Sequence, residues 1–283
     1  MTSDKLTAAR RTVLRAGVVI GTLAAARLVL GQDGGPPAPP EAARRARGLT
    51  GRTGPTDGTA TGTPEAPRLR AMAGETSRSG PGASPPRAEV AFTLPGRDRE
   101  IALTFDDGPD PRYTPEILQL LRRHRARATF FVVGECALAF PDLLHYIAEE
   151  GHTIGNHTWT HPQLTALPPG EVRAELGRTS ALIEEILGSA PTLARAPYGD
   201  WDPLSLAVCN DLGMSPVGWS VDSEDWTRPG PERIADTVLD ELGPGAIVLC
   251  HDGGGDRLQT VQALEWYLPE LLDQGYEPVR VPG

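Results

Sequence analysis

Aromatic side chains are scarce in this sequence, and the first 91 residues contain none of them. Residues 32–90 are instead rich in proline and glycine, with 10 of each among 59 positions. A segment of this composition cannot bury enough apolar surface to offset the conformational entropy that is lost on folding. We therefore predict that residues 32–95 form a disordered Pro/Gly-rich linker and that the folded domain is residues 96–283.

Cysteine is also scarce, since the chain has only Cys136, Cys209 and Cys250. No two of them have the C-x-x-C spacing that is typical of a thiolate metal site, and an odd number argues against a disulfide framework. The motif G-x-S-x-G is absent as well. Its absence argues against the serine esterases that carry their nucleophile on this turn.

Basic residues are under-represented in the predicted domain. Residues 1–95 contain 13 basic and 7 acidic residues, whereas residues 96–283 contain 14 basic and 30 acidic residues. Nucleic-acid binding depends largely on lysine and arginine side chains that neutralise phosphates. The acidic excess therefore argues against a nucleic-acid partner, and it is also what solubility alone would explain.

The apolar stretch near the N-terminus, residues 16–30, is interrupted by Arg27 and is shorter than the about 20 residues that span a membrane. The pair Arg10-Arg11 precedes it, as in a twin-arginine export signal. We expect residues 1–31 to be such a signal, or an uncleaved anchor that associates with a membrane. The protein would then be exported and either secreted or associated with the cell envelope. A basic start to an internal amphipathic helix is the alternative.

Residues 96–283 alternate between apolar runs typical of strands and periodic segments typical of helices. The predicted strands are residues 101–105, 128–133, 153–156, 192–196, 215–221, 246–250 and 278–281. A repeated β-α order with short connections indicates a parallel sheet that is covered by helices. Seven units are one short of a standard eight-fold barrel, so an incomplete barrel and an open doubly wound sheet both fit the pattern.

Polar side chains follow five of the seven predicted strands. In chain order they are Asp106 and Asp107, His157 and His161, Arg195 and Tyr198, Asp222 with Asp225 and Trp226, and His251 with Asp252. In parallel β/α proteins the chemistry lies at the carboxyl ends of the strands. Closure of the sheet would bring all five groups around one axis, whereas an open sheet would spread them along an edge. We therefore predict an α/β fold in which the sheet closes into an incomplete (β/α)7 barrel.

Two histidines four residues apart, His157 and His161, can bind one metal ion from a tight turn. They do not form the zinc-protease helix motif, because threonine rather than glutamate follows His157. The adjacent acids Asp106 and Asp107 can supply a third ligand, and such a set leaves positions open for water and substrate. One acid would bind the cation and the other would stay ionised beside it. An ordinary surface pair of histidines is the alternative.

Five segments occur in a characteristic order: TFDDGP at 104–109, HTWTH at 157–161, RAPYG at 195–199, DSEDW at 222–226 and LCH at 249–251. Together they resemble the five motifs of the polysaccharide deacetylases, carbohydrate esterase family four. The resemblance covers residues 97–283 and implies a distorted β/α barrel. Ala196, where proline is common, and Cys250, between Leu249 and His251, are mild departures.

The resemblance also implies a role for each matching residue. Asp107, His157 and His161 would hold a divalent metal ion, with zinc expected and cobalt, nickel or manganese as alternatives. Asp106 would be the general base, oriented by Arg195. A purely structural ion pair between Asp106 and Arg195 is the alternative.

The remaining motifs would complete the catalytic site. His251 would be the general acid, with Asp225 as the carboxylate that raises its pKa. The backbone N–H of Tyr198 would stabilise the oxyanion, and Tyr198 would also contact the substrate. Trp226 and Leu249 would form the walls of the pocket for the acetyl methyl group, unless they simply pack in the core.

The resemblance implies a metal-dependent N-deacetylase, a hydrolase that acts on N-acetylglucosamine units of peptidoglycan or chitin oligomers. An O-deacetylase that acts on acetylxylan and a non-catalytic glycan-binding module are the alternatives. We expect a monomer whose partner is a polysaccharide. The role of Asp222 stays open.

Overall fold

The computed structural model describes residues 89–96 and 98–283. The predicted export signal at residues 1–31 and residues 32–88 of the predicted linker lie outside the described residues. Within the described part of the chain, none of the helices has both the length and the apolar character that crossing a membrane requires.

The described residues form a parallel sheet that is surrounded by helices. The strands are β1 (Glu100–Asp106), β2 (Ala128–Val132), β3 (Thr153–Asn156), β4 (Leu193–Ala194), β5 (Ser215–Pro216), β6 (Val221–Asp222), β7 (Ile247–His251) and β8 (Glu277–Pro278). The helices are α1 (Thr114–His124), α2 (Gly134–Ala139), α3 (Pro141–Glu149), α4 (Pro169–Leu187), α5 (Pro203–Asp211), α6 (Pro231–Glu241) and α7 (Leu258–Asp273). The strand order is β5-β4-β3-β2-β1-β7-β6, and β8 pairs with the first residues of β1.

Strand β1 shows why the sheet is buried on both faces. Its residues from Ile101 to Asp106 are all buried. Leu103 and Phe105 belong to the core cluster beneath the helices, whereas Ala102 belongs to a separate cluster on the other face. Because side chains alternate along a strand, Thr104 and Asp106 share the face of Ala102. The strand thus places an acid on the inner face at its carboxyl end.

The covalent chain connects the two ends of the strand order. Strands β5 and β6 lie at opposite ends of that order, yet they are separated in sequence only by residues 217–220. The Val217 N–H donates to the Ala194 carbonyl at 2.8 Å, and the Ser220 N–H donates to the Ile247 carbonyl at 3.0 Å. The segment therefore leaves β4 and joins β7. This curled arrangement confirms the distorted (β/α) barrel and corrects the single predicted strand at 215–221, because its two halves have different partners.

The ordered domain begins earlier than predicted. Residues 89–95 were assigned to the linker, but Ala91 forms a parallel bridge with Val217 and Thr93 forms an antiparallel bridge with Ala246. Leu94 is buried in the core cluster of the inner face. The backbone pairing and the buried leucine offset the ordering entropy of this short segment, whose composition alone resembles a linker.

Candidate active site

A cavity of about 350 Å³ opens among the loops that follow the carboxyl ends of the strands. Its lining consists of Asp106, Asp107, His157, His161, Ala196, Tyr198, Trp219, Asp222, Trp226, Leu249 and His251. All predicted site residues except Arg195 and Asp225 are therefore in the wall of one cavity. Arg195 and Asp225 lie directly behind it, where each contacts a lining residue through its side chain.

The predicted metal ligands converge. The potential ligand atoms of Asp107, His157 and His161 lie within 4.8 Å of one another, close enough to hold one metal ion. We call these three residues the metal-ligand cluster. Asp107 Oδ1 is 3.4 Å from His157 Nε2 and 3.2 Å from His161 Nε2. Burial by itself would raise the pKa of Asp107, but the two imidazoles beside it, which donate to it and carry positive charge when they are protonated, outweigh burial and hold the pKa well below its usual range.

The orientation of His157 is fixed by the main chain. Its Nδ1 lies 2.8 Å from the Arg195 carbonyl oxygen, which can only accept a hydrogen bond. Nδ1 therefore carries a proton, and Nε2 of the neutral ring directs its lone pair toward Asp107. This second contact from the opposite ring nitrogen is the usual support of a histidine that binds a metal.

The surroundings of Asp107 Oδ1 show whether a cation would fit between the carboxylate and the two imidazoles. This oxygen is buried and has no hydrogen-bond partner with good geometry among the described residues, although both imidazoles approach it. A buried carboxylate oxygen that faces two imidazole lone pairs is unfavourable unless a proton or a cation lies between them. One carboxylate oxygen and two imidazole nitrogens are also an appropriate ligand set for zinc. The residues therefore fit a divalent metal ion.

The site depends on left-handed backbone conformations that side chains rarely adopt. Asp107, His161 and Tyr198 have φ angles of 71°, 61° and 62°. Such conformations cost about 1–2 kcal/mol per residue and are concentrated at functional sites. Gly254 has a φ of 69°, and a Cβ atom at this position would collide with Asp107 Oδ2. The loop after β7 therefore approaches Asp107 as closely as only a glycine allows.

Asp106 is held by a buried arginine. The Arg195 Nη1 group donates to Asp106 Oδ1 at 2.8 Å and to Thr104 Oγ1 at 2.8 Å, while Nη2 donates to the Gly218 carbonyl at 2.8 Å. Arg195 is fully buried, and burial lowers its pKa below the ordinary value of an arginine. The guanidinium thus fixes one carboxylate oxygen of Asp106, and the other, Oδ2, lies 3.7 Å from His157 Nε2.

His251 is paired with Asp225. Its Nδ1 donates to Asp225 Oδ1 at 2.6 Å, while the His251 N–H and the Thr260 hydroxyl donate to Oδ2 at 2.8 and 2.7 Å. Burial would lower the pKa of His251, but the hydrogen bond and the negative charge of Asp225 outweigh it and raise the pKa to about 9. At neutral pH the imidazole is therefore protonated, and Nε2 is its free donor.

Tyr198, Trp226 and Leu249, which are predicted to contact the substrate, line the cavity. Trp226 is 57% exposed and Tyr198 is 69% exposed, so neither ring is a core residue. Leu249 is buried in β7 and reaches the cavity lining. The Tyr198 ring meets the His161 ring edge-on at a centroid distance of 5.0 Å. The cavity thus has two exposed aromatic rings near the metal-ligand cluster.

Several supporting residues were not predicted. Thr104 accepts a hydrogen bond from Arg195, Thr260 donates to Asp225, and Trp219 lines the cavity. Glu175 in α4 accepts the N–H groups of Trp159 and Thr160, both at 2.8 Å, and so holds the turn between the two histidines. Only Thr104 lies in a motif, so the sequence gives no local signal for the other three.

The chain is similar in sequence to proteins of one known family. A family model described as polysaccharide deacetylase matches residues 94–217. A chitooligosaccharide deacetylase from Bradyrhizobium sp. (strain ANU 289) is 44% identical over 191 residues, which are 63% of this chain and 87% of that protein. A peptidoglycan-N-acetylglucosamine deacetylase from Bacillus cereus is 40% identical over 194 residues, which are 68% of this chain and 70% of that protein.

Solved structures show the same likeness in three dimensions. The Bc1960 peptidoglycan N-acetylglucosamine deacetylase, crystallised with an N-hydroxybenzamide compound, matches with a TM-score of 0.66 and 39% sequence identity. The match covers 68% of this chain and 91% of that structure.

Proposed function

The chain belongs to the polysaccharide deacetylase family, and from that premise we propose that it is a metal-dependent N-deacetylase. The proposed substrate is an N-acetylglucosamine unit of peptidoglycan or of a chitin oligomer, from which acetate is released by hydrolysis. One observation carries the proposal: the metal-ligand cluster, the acid Asp106 and the protonated His251 line one cavity. Arg195 and Asp225 support the acid and the histidine from behind it.

Asp107, His157 and His161 would hold the metal ion in this mechanism. Two imidazole nitrogens and one carboxylate oxygen suit zinc, and the same donors accept cobalt, nickel or manganese. When bound, the ion supplies Lewis-acid chemistry, which favours the deprotonation of water and polarises the acetyl carbonyl.

Asp106 acts as the general base. Arg195 holds Oδ1 and orients the carboxylate, which leaves Oδ2 to accept a proton from the attacking water. The attack forms a tetrahedral oxyanion, and the backbone N–H of Tyr198, a residue of the cavity wall, would stabilise its negative charge.

His251 acts as the general acid. Its Nδ1–H is bound to Asp225, so Nε2 is the nitrogen that can donate a proton into the cavity. Donation to the amide nitrogen of the sugar lets the carbon–nitrogen bond break and releases the amine as a neutral leaving group. Leu249 and Trp226, which line the same cavity, would form the walls around the acetyl methyl group.

Paired substitutions separate metal binding from base catalysis. Asp107→Ala removes a ligand, so we expect the dialysed protein to lose both bound metal and acetate release. Asp106→Asn leaves the ligand cluster intact, so metal content should be retained while acetate release falls about 10²–10⁴-fold. Metal is measured by plasma mass spectrometry, and acetate is measured with penta-N-acetylchitopentaose as substrate. Full activity in metal-free Asp107→Ala would contradict the mechanism.

The substrate class is tested with the same assay. Chitin oligomers, peptidoglycan and acetylxylan are compared with and without a chelator. Acetate release from acetylxylan alone would favour the O-deacetylase, and binding of glycan without any release would favour a non-catalytic module. We expect release from N-acetylated chains that the chelator abolishes.

We further propose that the protein is exported through the twin-arginine route and acts as a monomer in the cell envelope or outside the cell. The Arg10-Arg11 pair and the apolar stretch after it support export. Arg10→Lys together with Arg11→Lys should leave the full chain inside the cell, detected by fractionation. Unchanged export of the double variant would reject this route, and sedimentation of the exported protein measures its oligomeric state.

A further inference from the structure

Three carboxylates line the cavity, and the proposed reaction gives a role to only two of them. Asp106 and Asp107 take part in the reaction, whereas Asp222 at the end of β6 does not. Asp222 is partly buried, and that burial raises its pKa above the ordinary value. Its presence in the cavity wall therefore costs free energy that no step of the reaction explains.

The protein itself satisfies Asp222 only in part. Its Oδ1 accepts the Glu224 N–H at 2.9 Å, a local bond of the kind that any aspartate forms in a turn. Among the described residues, no ion pair is formed by Asp222. Asp106 and Asp225, by contrast, pair with Arg195 and His251. Asp222 thus lines the cavity without an ion pair in the described part of the chain, and the nearby charge of His251 lowers its pKa by less than burial raises it.

A carboxylate in this state can accept a hydrogen bond from a ligand. Sugar rings present several hydroxyl groups at their edge and apolar C–H groups on their faces, and they carry no fixed positive charge when fully acetylated. An aspartate can accept a hydroxyl hydrogen bond, and an exposed aromatic ring can cover an apolar sugar face. Trp226, which is 57% exposed and follows Asp222 by four residues, provides such a ring in the same cavity wall.

We propose that Asp222 accepts a hydrogen bond from a ring hydroxyl group of the sugar whose acetamide is hydrolysed, and thereby selects carbohydrate acetamides over other acetylated compounds. The inference rests on the proposed function, because it concerns the substrate of that same cavity. A site with an acceptor placed for a hydroxyl group discriminates against analogues that lack it, since they cannot form this hydrogen bond.

Two substrates and three variants test the inference in the full chain. Penta-N-acetylchitopentaose carries the ring hydroxyls, whereas 4-nitrophenyl acetate has a transferable acetyl group and no hydroxyl. Asp222→Ala should lower kcat/KM for the pentamer about 10- to 100-fold, mainly through KM, because one charge-assisted hydrogen bond is lost. Hydrolysis of 4-nitrophenyl acetate should change less than about two-fold, since the proposed base, acid and ligands are intact.

Two further variants sharpen the result. Asp222→Asn keeps an oxygen for the Glu224 N–H but loses the charge, so its loss on the pentamer should be smaller than that of Asp222→Ala. Glu224→Gln changes the neighbouring exposed acid, which is not in the cavity lining, and should leave both substrates unaffected. Thermal unfolding of each variant confirms that the fold is retained.

The outcomes are distinguishable. Equal losses on both substrates would overturn the inference, because Asp222 would then act on the catalytic groups, and unchanged kinetics on both would overturn it as well. If the unsubstituted protein releases no acetate, the proposed function fails. In that case calorimetric titration with the pentamer still tests Asp222: weaker binding by Asp222→Ala supports the inference, and equal binding contradicts it.

Discussion

Two buried pairs determine the chemistry of individual residues in the cavity. Arg195 holds Asp106 at 2.8 Å, and Asp225 holds His251 at 2.6 Å. In each pair the hidden partner fixes the orientation of the group that faces the cavity. The residues that line the cavity could be predicted from sequence because they occur in short motifs at strand ends. The distances within the pairs depend on four segments that meet only in the folded chain.

The pKa of His251, which Asp225 raises, should set the alkaline limit of activity. His251 must be protonated to donate, so activity is present below its pKa of about 9 and is lost as the pH rises through that value. Asp225→Asn removes the charge that raises the pKa while the burial that lowers it remains. We therefore expect the alkaline limb of kcat/KM to move down by about 1–2 pH units.

A pH profile of acetate release measures this shift. Glu224→Gln, the adjacent exposed carboxylate, is the matched control and should keep the wild-type profile. An alkaline limb that stays in place in Asp225→Asn would show that His251 is not the group being titrated.

At the scale of elements, helices and loops support the site from outside the motifs. Helix α4 contributes Glu175 to the turn that carries His161, and helix α7 contributes Thr260 to Asp225. Neither residue could be predicted, because a polar side chain on a helix looks the same in sequence whether it faces solvent or a neighbouring loop. Helix α2, Gly134–Ala139, was also missed, since six residues are too few to show a helical period.

Glu175 should influence metal affinity although it is not a predicted ligand. Its carboxylate accepts two N–H groups of the turn between His157 and His161. Glu175→Gln removes the negative charge, so the turn should loosen and metal affinity should fall about 10-fold. Competition with a coloured chelator measures the affinity, and Glu184→Gln, an exposed acid of the same helix, is the control. Equal affinities for both variants would refute this role.

Gly254, in the loop after β7, is a second position outside the motifs on which the site depends. Gly254→Ala would place a methyl group against Asp107 Oδ2 at a φ of 69°. We expect a destabilisation of about 1–2 kcal/mol from the backbone strain and a loss of bound metal from displacement of the ligand. Gly243→Ala is the matched control, because a Cβ atom there would have no neighbour within 4 Å. Retention of full metal content by Gly254→Ala would show that the loop can move away.

At the scale of the whole molecule, the sequence predicted the alternation of strands and helices but not how the barrel is completed. Hydrophobic periodicity predicts the number of strands and which of their faces are apolar. An open sheet and a closed sheet can have the same number of strands and the same apolar faces. The decisive feature is the change of partner within residues 215–222, from β4 to β7. A pattern of apolar residues contains no information on such a change.

The stability of the whole domain should depend on pH through His152. Burial, assisted by the charges of Arg127 and Arg280, lowers the pKa of His152 from 6.5 to about 4. The unfolded chain therefore binds this proton more readily than the folded one. The stabilisation is complete above pH 6.5 and is lost as the pH falls toward 4.

Urea unfolding at several pH values between 7 and 4 tests this dependence. The free energy of unfolding should decrease across that interval, and the decrease should be smaller in His152→Gln, which has no titrating group. His145→Gln, which changes an exposed histidine, should follow the wild type. Identical pH dependence in all three proteins would assign the effect to other groups.

Arg195 has two separable contacts with the catalytic site, and this has an evolutionary consequence. Its carbonyl oxygen binds the His157 ring, and its guanidinium binds Asp106. A substitution at this codon would remove the guanidinium contact but leave the carbonyl in the chain. A descendant with one substitution at Arg195 could therefore lose hydrolysis and still bind a sugar. Few mutations would then separate the proposed enzyme from a lectin-like protein.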